Sequence, residues 1–435
     1  MAGLAAAWVL AEEGHEVDVF EARKMVGGRA TSYEVPDGNG GLELVDNSQH
    51  ILMRCCENLL DLYRRLGIDD LVVFHDTFTF IEPGGRRSVL KAGSLPAPLH
   101  FAGAFLGLRF LSLRDKLSIA RGMAAVRSDI HHGESLDAIT MADWLRAHHQ
   151  TEAALRFFWE PVLVSAVNES LDVISAWQGL RVIHLGFVAG KRNYEMGVPT
   201  VPLAELYAPE RWERHPRIRI HRASPVKTFE REGDRVLSAC VNGERFLADA
   251  FISALPYERI GPLFPELGLH IEGFAHSPIA GIHLRFDRRV THLPHAALLG
   301  RTIQWFYSRS EGTILSVVVS VARSLEKMRR EDIVDLVLHE LAEFEPRVRE
   351  ANCVSSHVIR ETRATFVASP GFEAQRPGPV TPFRNFFLAG EWTRTGWPST
   401  MEGAVISGYR AASEICHLDG RHIEFVVEAP APGIG

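Results

Sequence analysis

Residues 2–13 read AGLAAAWVLAEE, an alanine-rich helix that Gly14 stops. HEVDVFEA then reads as a strand ending at Glu21, and KMVGGRA follows with Gly27, Gly28 and Arg29. Helix, strand, acidic strand end and glycine turn in this order form the second half of a Rossmann βαβ unit. Gly3 fits the third glycine of G-x-G-x-x-G, and Glu21 lies 18 residues further on, near the usual spacing of about 20. The first two glycines and the first strand would lie before Met1. The expected fold is therefore α/β, with a discontinuous Rossmann-type domain whose first strand is missing from this chain. Loss of that strand is expected to leave backbone groups unpaired on its neighbours and to weaken nucleotide binding.

The rest of the chain alternates in character. At 435 residues it is long enough for two or three domains or one two-lobed enzyme. Residues 51–66 have helical spacing, and 76–195 are mostly helical. Residues 216–256 read as short β segments with turns at Gly233 and Asn242-Gly243, and 277–325 alternate as strands. EDIVDLVLHELAEF is an amphipathic helix, and the unit ending at Cys416 reads strand, loop, helix. The organisation expected is a nucleotide domain from residues 1–75, 196–256 and 380–420, a mixed helix-and-sheet substrate domain from 76–195 and 257–379, and a flexible tail over 421–435.

Composition narrows the function. A net charge of −7 argues against a nucleic-acid partner. The five cysteines, Cys55, Cys56, Cys240, Cys353 and Cys416, form no C-x-x-C pair and read as reduced, buried thiols. No metal-ligand spacing is present. No signal peptide and no apolar run long enough to span a bilayer are seen, so a cytoplasmic protein is expected. Residues 95–113, LPAPLHFAGAFLGLRFLSL, are apolar but broken by prolines, His100 and Arg109. They read either as a buried helix or as a surface that dips into the inner face of the cell membrane, with Phe105 and Phe110 as entry residues.

Three constellations carry chemistry. Glu21, with Ala22 and Arg23 beside it, can hold both hydroxyls of a ribose; Gly27 and Gly28 let backbone approach a cofactor, and Arg29 offers a planar fork to a pyrophosphate. In LAGEWTRTGWPSTMEGAVISGYRAA, residues 388–412, Gly390-Glu391 ends an apolar strand, and Met401-Glu402-Gly403-Ala404 opens a helix whose free N–H groups favour an anion. Reduced flavin carries such charge, and Gly403 would let its ring rest on the backbone. Asp46-Asn47-Ser48-Gln49-His50 forms a polar cluster in which Asn47 is cofactor-proximal and His50 faces the substrate or serves structurally. Val226, after Pro225, is a position whose backbone meets an adenine edge. The GGRA turn together with the distant C-terminal segment suits FAD better than nicotinamide.

FEARKMVGGRA, the C-terminal GEW…MEGA segment and the β segment ending ISALP resemble the flavin amine oxidase and phytoene desaturase superfamily. Within it, DNSQHILMRCCENLLDLYRRLG, GGRRSVLKAGSLPAPLH, RFLSLRDKL, FWEPVLVSAVNESLD and YEMGVPTVPLAELY resemble the hydroxysqualene dehydroxylase subfamily. Ser48 stands where that subfamily usually has glycine, and Glu391 where it usually has aspartate. The resemblance implies FAD, an unidentified electron donor, and reductive removal of the hydroxyl of hydroxysqualene to give squalene. It also implies an acid for the departing hydroxyl, with His50 and Glu402 as candidates. A carotenoid-type polyene desaturase and a flavin-free lipid-binding protein stay open as alternatives.

Overall fold

The computed structural model describes residues 1–37, 40–271 and 273–428. The Ala2–Glu12 helix is buried over most of its length, because its side chains are apolar all round and not on one stripe. It packs on the C-terminal helix Met401–Leu418. Gly408 makes that approach feasible, since a Cβ there would strike the carbonyl of Ala2. Val17–Phe20 pairs in parallel with Ile218–His221, and Phe251–Ser253 pairs in parallel with Phe386–Leu388. Each of these four strands has that one partner among the described residues. The two long helices and the Glu57–Leu66 helix close over them with Val9, Leu62, Ile218, Val405 and Tyr409 in one core. This is the discontinuous α/β, Rossmann-type domain.

A meander, Val226–Glu232, Arg235–Val241 and Glu244–Leu247, follows the second of these strands. Its turns use Gly233 at φ 56° and Asn242-Gly243 at φ 52° and 88°, conformations that favour these residue types.

The other half of the molecule rests on a seven-stranded mixed sheet. In spatial order it runs Cys353–Phe366, His276–Phe286, Ile314–Ser320, Trp305–Arg309, His295–Leu298, Thr77–Ile81 and Arg87–Lys91. All neighbours are antiparallel except His295–Leu298 against Thr77–Ile81. Ile333, Val337, Leu341 and Phe344 form the apolar stripe of the Arg330–Phe344 helix and pack on this sheet. A layer of helices, including Leu113–Asp129, Glu160–Val167 and Ala176–Ile183, forms a further core around Trp144, Trp159, Leu163 and Leu180. Leu113–Asp129 starts at a capping box. Ser112 Oγ accepts the Asp115 N–H at 3.3 Å, and the Asp115 carboxylate accepts the Ser112 N–H at 2.9 Å.

Two expectations are corrected. Phe105 and Phe110 are not the exposed face of residues 95–113. Phe105 packs edge-on to Phe158 at 5.8 Å and Phe110 tilts against Phe80 at 5.5 Å. The leucines Leu95, Leu99, Leu106, Leu113 and Leu117 face outward instead. The segment forms a 3-10 turn, Leu99–Phe101, and a short helix, Ala102–Leu106, and its aromatic rings are large enough to reach the core between turns. The tail is pinned from 421 to 428, while 429–435 lie outside the described residues. Phe425 is buried against Tyr409, Asn58 exchanges hydrogen bonds with the backbone of Val427, and Arg421 pairs with Glu13. Apolar and charged contacts outweigh the composition signal there. Among the described residues no helix is long and apolar enough to cross a membrane.

Candidate functional site

A cavity of about 990 Å³ runs from the ends of the parallel strands to the helical layer. Glu21, Ala22, Arg23 and Val226 line one end. The chain after Val17–Phe20 is tied to the chain before the meander: the Ser224 N–H donates to the Glu21 carbonyl and the Ala223 N–H to the Arg23 carbonyl, both at 2.9 Å. The Glu21 carboxylate accepts the Arg23 N–H at 2.8 Å, which turns it back over its own loop. Gly27 and Gly28 also line the cavity, at φ 102° and 68°. A Cβ on Gly27 would lie 2.5 Å from the Ala30 carbonyl, so the turn requires glycine there. Gly3 is not on the wall. It lets the first helix approach the strand ending at Ser253, since a Cβ there would come within 3.0 Å of Ala254 Cβ. That is the packing role of a third fingerprint glycine.

The middle of the cavity is charged but internally matched. Arg29 forms a half-buried ion pair with Glu391 and donates to the carbonyls of Arg363 and Ala364 at 3.4 and 3.3 Å. Burial would raise the Glu391 carboxyl, but the Arg29 guanidinium offsets this and holds it below its ordinary value. Arg29 is thus engaged within the protein and does not present a free fork. Its carbonyl accepts the Asn47 side-chain N–H at 2.7 Å. Asn47 Oδ1 is buried and has no partner among the described residues, and Asn47 lines the cavity. Gly390, at φ 136°, also lines it, and a Cβ there would sit 2.6 Å from Trp392 Nε1.

At the start of the C-terminal helix, Met401, Glu402 and Ala404 reach the cavity, while Gly403 does not. Thr400 Oγ accepts the Gly403 N–H at 3.1 Å, and a Cβ on Gly403 would meet the Pro398 carbonyl at 3.1 Å. Gly403 therefore serves the fold of the preceding loop. Glu402 caps another helix. Its carboxylate accepts the N–H groups of Asn58, at 3.1 Å, and Leu59, at 2.7 Å, together with the Asn58 side-chain N–H at 2.8 Å. These are second and third residues of the Glu57–Leu66 helix, whose own N-cap, Cys56, supplies no side-chain bond. Burial pushes the Glu402 pKa up to about 7 against the pull of those donors. His50 lines the cavity, and burial lowers its pKa. Its Nδ1 lies 3.1 Å from the Ser48 carbonyl, which can only accept, so the neutral ring carries its proton on Nδ1 and a lone pair on Nε2.

Several residues on or behind the wall had no motif to mark them. Arg376 is fully buried and donates to Glu373 at 2.5 Å, to the carbonyls of Glu391 and Trp397 at 2.6 and 2.9 Å, and to Thr395 Oγ at 2.8 Å. It holds the Glu391–Trp397 loop in shape from outside the cavity. The Ala176–Ile183 helix continues into a π-helical turn, His184–Val188, and Arg181, Val182 and Leu185 face the cavity from this stretch. Ile51, Met53, Leu59, Ala166 and Trp397 complete an apolar wall at this end.

The donor set fits a flavin dinucleotide. A strand-end carboxylate of the kind that could hold a ribose, the start of the meander strand and glycine turns stand at one end. Further along are an orphaned acceptor on Asn47, a helix start and an apolar chamber. Fold and cavity together define a flavin-dependent oxidoreductase. The chain belongs to the flavin-containing amine oxidoreductase family, whose model matches residues 1–416, and its cofactor is FAD. It is 26% identical to a zeta-carotene desaturase of Synechocystis sp., over 95% of both chains. It is 25% identical to a 15-cis-phytoene desaturase of Synechococcus elongatus, over 95% of this chain and 94% of that one. Among solved structures, putrescine oxidase bound to putrescine matches at TM-score 0.70 and 16% identity, covering 96% of this chain and 97% of that one. Cyclohexylamine oxidase from Brevibacterium oxydans matches at 0.68 and 16%, covering 97% of each. These structural likenesses show the fold.

Proposed function

We propose that this flavoenzyme acts on a long-chain isoprenoid and moves a hydride between FAD and one carbon of it. The observation that carries this reading is the continuity of the cavity, from a carboxylate suited to ribose to a wall of Ile51, Met53, Leu59, Ala166 and Leu185 suited to hydrocarbon. The full-length likeness to two carotenoid desaturases supports the substrate class and favours desaturation. Bound FAD supplies a ring that takes up or returns a hydride. The chain's own part is to hold the reacting carbon at about 3–3.5 Å from that ring and to exclude water. His50 suits the oxidative direction. As a neutral ring with a free Nε2 it can accept the proton a desaturation releases.

The reductive reading, removal of the hydroxyl of hydroxysqualene to give squalene and water, has a specific observation in its favour. Two of the five segments that resemble that subfamily, 46–67 and 158–172, contribute wall residues, among them Asn47, His50, Ser165 and Ala166. Glu402 suits an acid role poorly, because three donors already occupy its carboxylate.

Product analysis by mass separates the two. The holoenzyme is given phytoene or zeta-carotene with a quinone as electron acceptor, and, separately, hydroxysqualene with chemically reduced flavin. Loss of two hydrogens from a polyene supports desaturation. Replacement of hydroxyl by hydrogen supports the second reading. No turnover of any isoprenoid removes the substrate class.

A further inference from the structure

Cys55 and Cys56 are consecutive in the chain, and both line the cavity. Both are buried, and both are free thiols. Their backbone is fixed: the Cys55 N–H donates to the Asn193 carbonyl at 3.3 Å, and the Cys56 N–H to the Met53 carbonyl at 2.9 Å. Cys56 is the N-cap of the Glu57–Leu66 helix, yet its sulfur caps nothing, because Glu402 takes the N–H groups of Asn58 and Leu59. The sulfur turns to its neighbour instead, and the two thiols lie within hydrogen-bond reach of each other. That bond is the first cause holding the Cys56 thiol well above its ordinary value, followed by burial, with the charge of Glu402 adding to both. A thiol that keeps its proton by sharing it with a second sulfur has the arrangement of a dithiol couple, in which one sulfur is free to react and the other completes the bond.

Among the described residues no cluster of three histidine, cysteine or acidic side chains could hold a metal ion, so the pair is not part of such a site. What remains for paired thiols on a wall shared with FAD is electron exchange. We propose that Cys55 and Cys56 are a redox-active dithiol, which closes to a disulfide when it reduces the oxidised flavin and reopens when the reduced flavin returns the electrons. The step balances. Both S–H bonds break and one S–S bond forms; the two electrons and two protons released convert FAD to its reduced form, and the reverse step gives them back. The cofactor is itself the oxidant, so no other reagent takes part. The pair falls between Met53 and Leu59 of the apolar wall, and Glu402, from the start of the C-terminal helix, bonds to residues of the same segment. The holoenzyme thereby has a second store for the electrons of one hydride, shielded from solvent. The inference depends on FAD and is independent of the isoprenoid reading.

The test is an anaerobic reductive titration of the FAD-loaded enzyme after oxidation with a quinone, with no isoprenoid present. Flavin absorbance follows the reduction, and alkylation under denaturing conditions with peptide mass counts the thiols. The parent should take up about four electrons per FAD, two for the flavin and two for the disulfide. The peptide carrying both residues should gain two hydrogens as it does so. Cys55→Ser and Cys56→Ser should each halve the uptake. Phenylarsine oxide, which bridges a dithiol, should halve it in the parent once the pair has been reduced and trapped, so the test stands even if a variant fails to fold. Quinone treatment of the flavin-free protein should leave both thiols open. An uptake of two electrons by the parent, with both thiols open to alkylation beforehand, overturns the inference. So does an uptake of four that survives in both variants, or a disulfide that the quinone forms equally well without FAD.

Discussion

The two ends of the cavity are built by opposite means. The end at Glu21 relies on backbone: a strand end, two glycines at positive φ and a single carboxylate, all within residues 17–28 and 218–226. The apolar end relies on side chains from segments far apart, Ile51 and Met53, Ala166, Arg181 to Leu185, and Trp397. Charge is handled differently too. Arg376, outside the cavity, meets four acceptors, whereas Arg181, on the wall, meets none. The first arginine is cemented into the fold, and the second is left facing the cavity.

Substituting the two arginines is the strongest way to break that contrast. Arg376→Met strips four acceptors of their donor and takes from half-buried Glu373 the one cation that hydrogen-bonds to it, which should cost about 3–5 kcal/mol. Arg181→Met removes a charge with no acceptor and should change stability by less than about 1 kcal/mol. Denaturant unfolding of both variants checks this; equal losses would abolish the distinction.

Next in size is the end of the cavity at Glu21. Glu21→Ala should weaken FAD by about 1.5–3 kcal/mol, the usual worth of hydrogen bonds to a charged group. Titration calorimetry on the flavin-free protein measures it, and unchanged affinity would remove Glu21 from the site.

Glu402 sharpens the comparison through pH. Its folded pKa, about 7, lies above the ordinary carboxylate value, so the folded state holds its proton more tightly than the unfolded chain. The stability this contributes is complete below about pH 4.5 and is lost as pH rises to about 7. Melting temperature followed across this window should show a fall in the parent that is absent in Glu402→Gln. Parallel curves would mean the carboxylate is ionised throughout.

The smallest stability effect belongs to the outer surface. Leu99→Ser with Leu106→Ser should leave stability within about 0.5 kcal/mol per site, because both side chains are exposed. If this face rests on a bilayer, flotation with liposomes should drop all the same. Unchanged flotation would separate residues 95–117 from membrane contact.

Legibility followed the same divide. The Glu21 strand end, the Gly27-Gly28 turn, the Gly390-Glu391 strand end and the Met401 helix start are local patterns, and each could be read from neighbouring residues. The reading of Arg29 as a free fork and of Gly403 as a flavin rest missed their partners, Glu391 and the Pro398 carbonyl. Arg29 meets a residue hundreds of positions away, which no local pattern encodes. Arg181 lay in an ordinary amphipathic stretch, AWQGLRVI, and the π-helical turn after it carries no sequence signature.

By itself, then, the sequence determined the α/β class, the FAD cofactor and the glycine turns, strand ends and helix start that line the cavity, because those local conformations are set by residues close in the chain. Tertiary structure alone decided which charges are spent and which are free. Glu402 became a helix cap, Arg29 and Arg376 became fixed supports, and Arg181 was left facing the cavity. A side chain's electrostatic role depends on what folding brings within hydrogen-bond reach, and in this chain those partners come from segments that meet only when the domain closes.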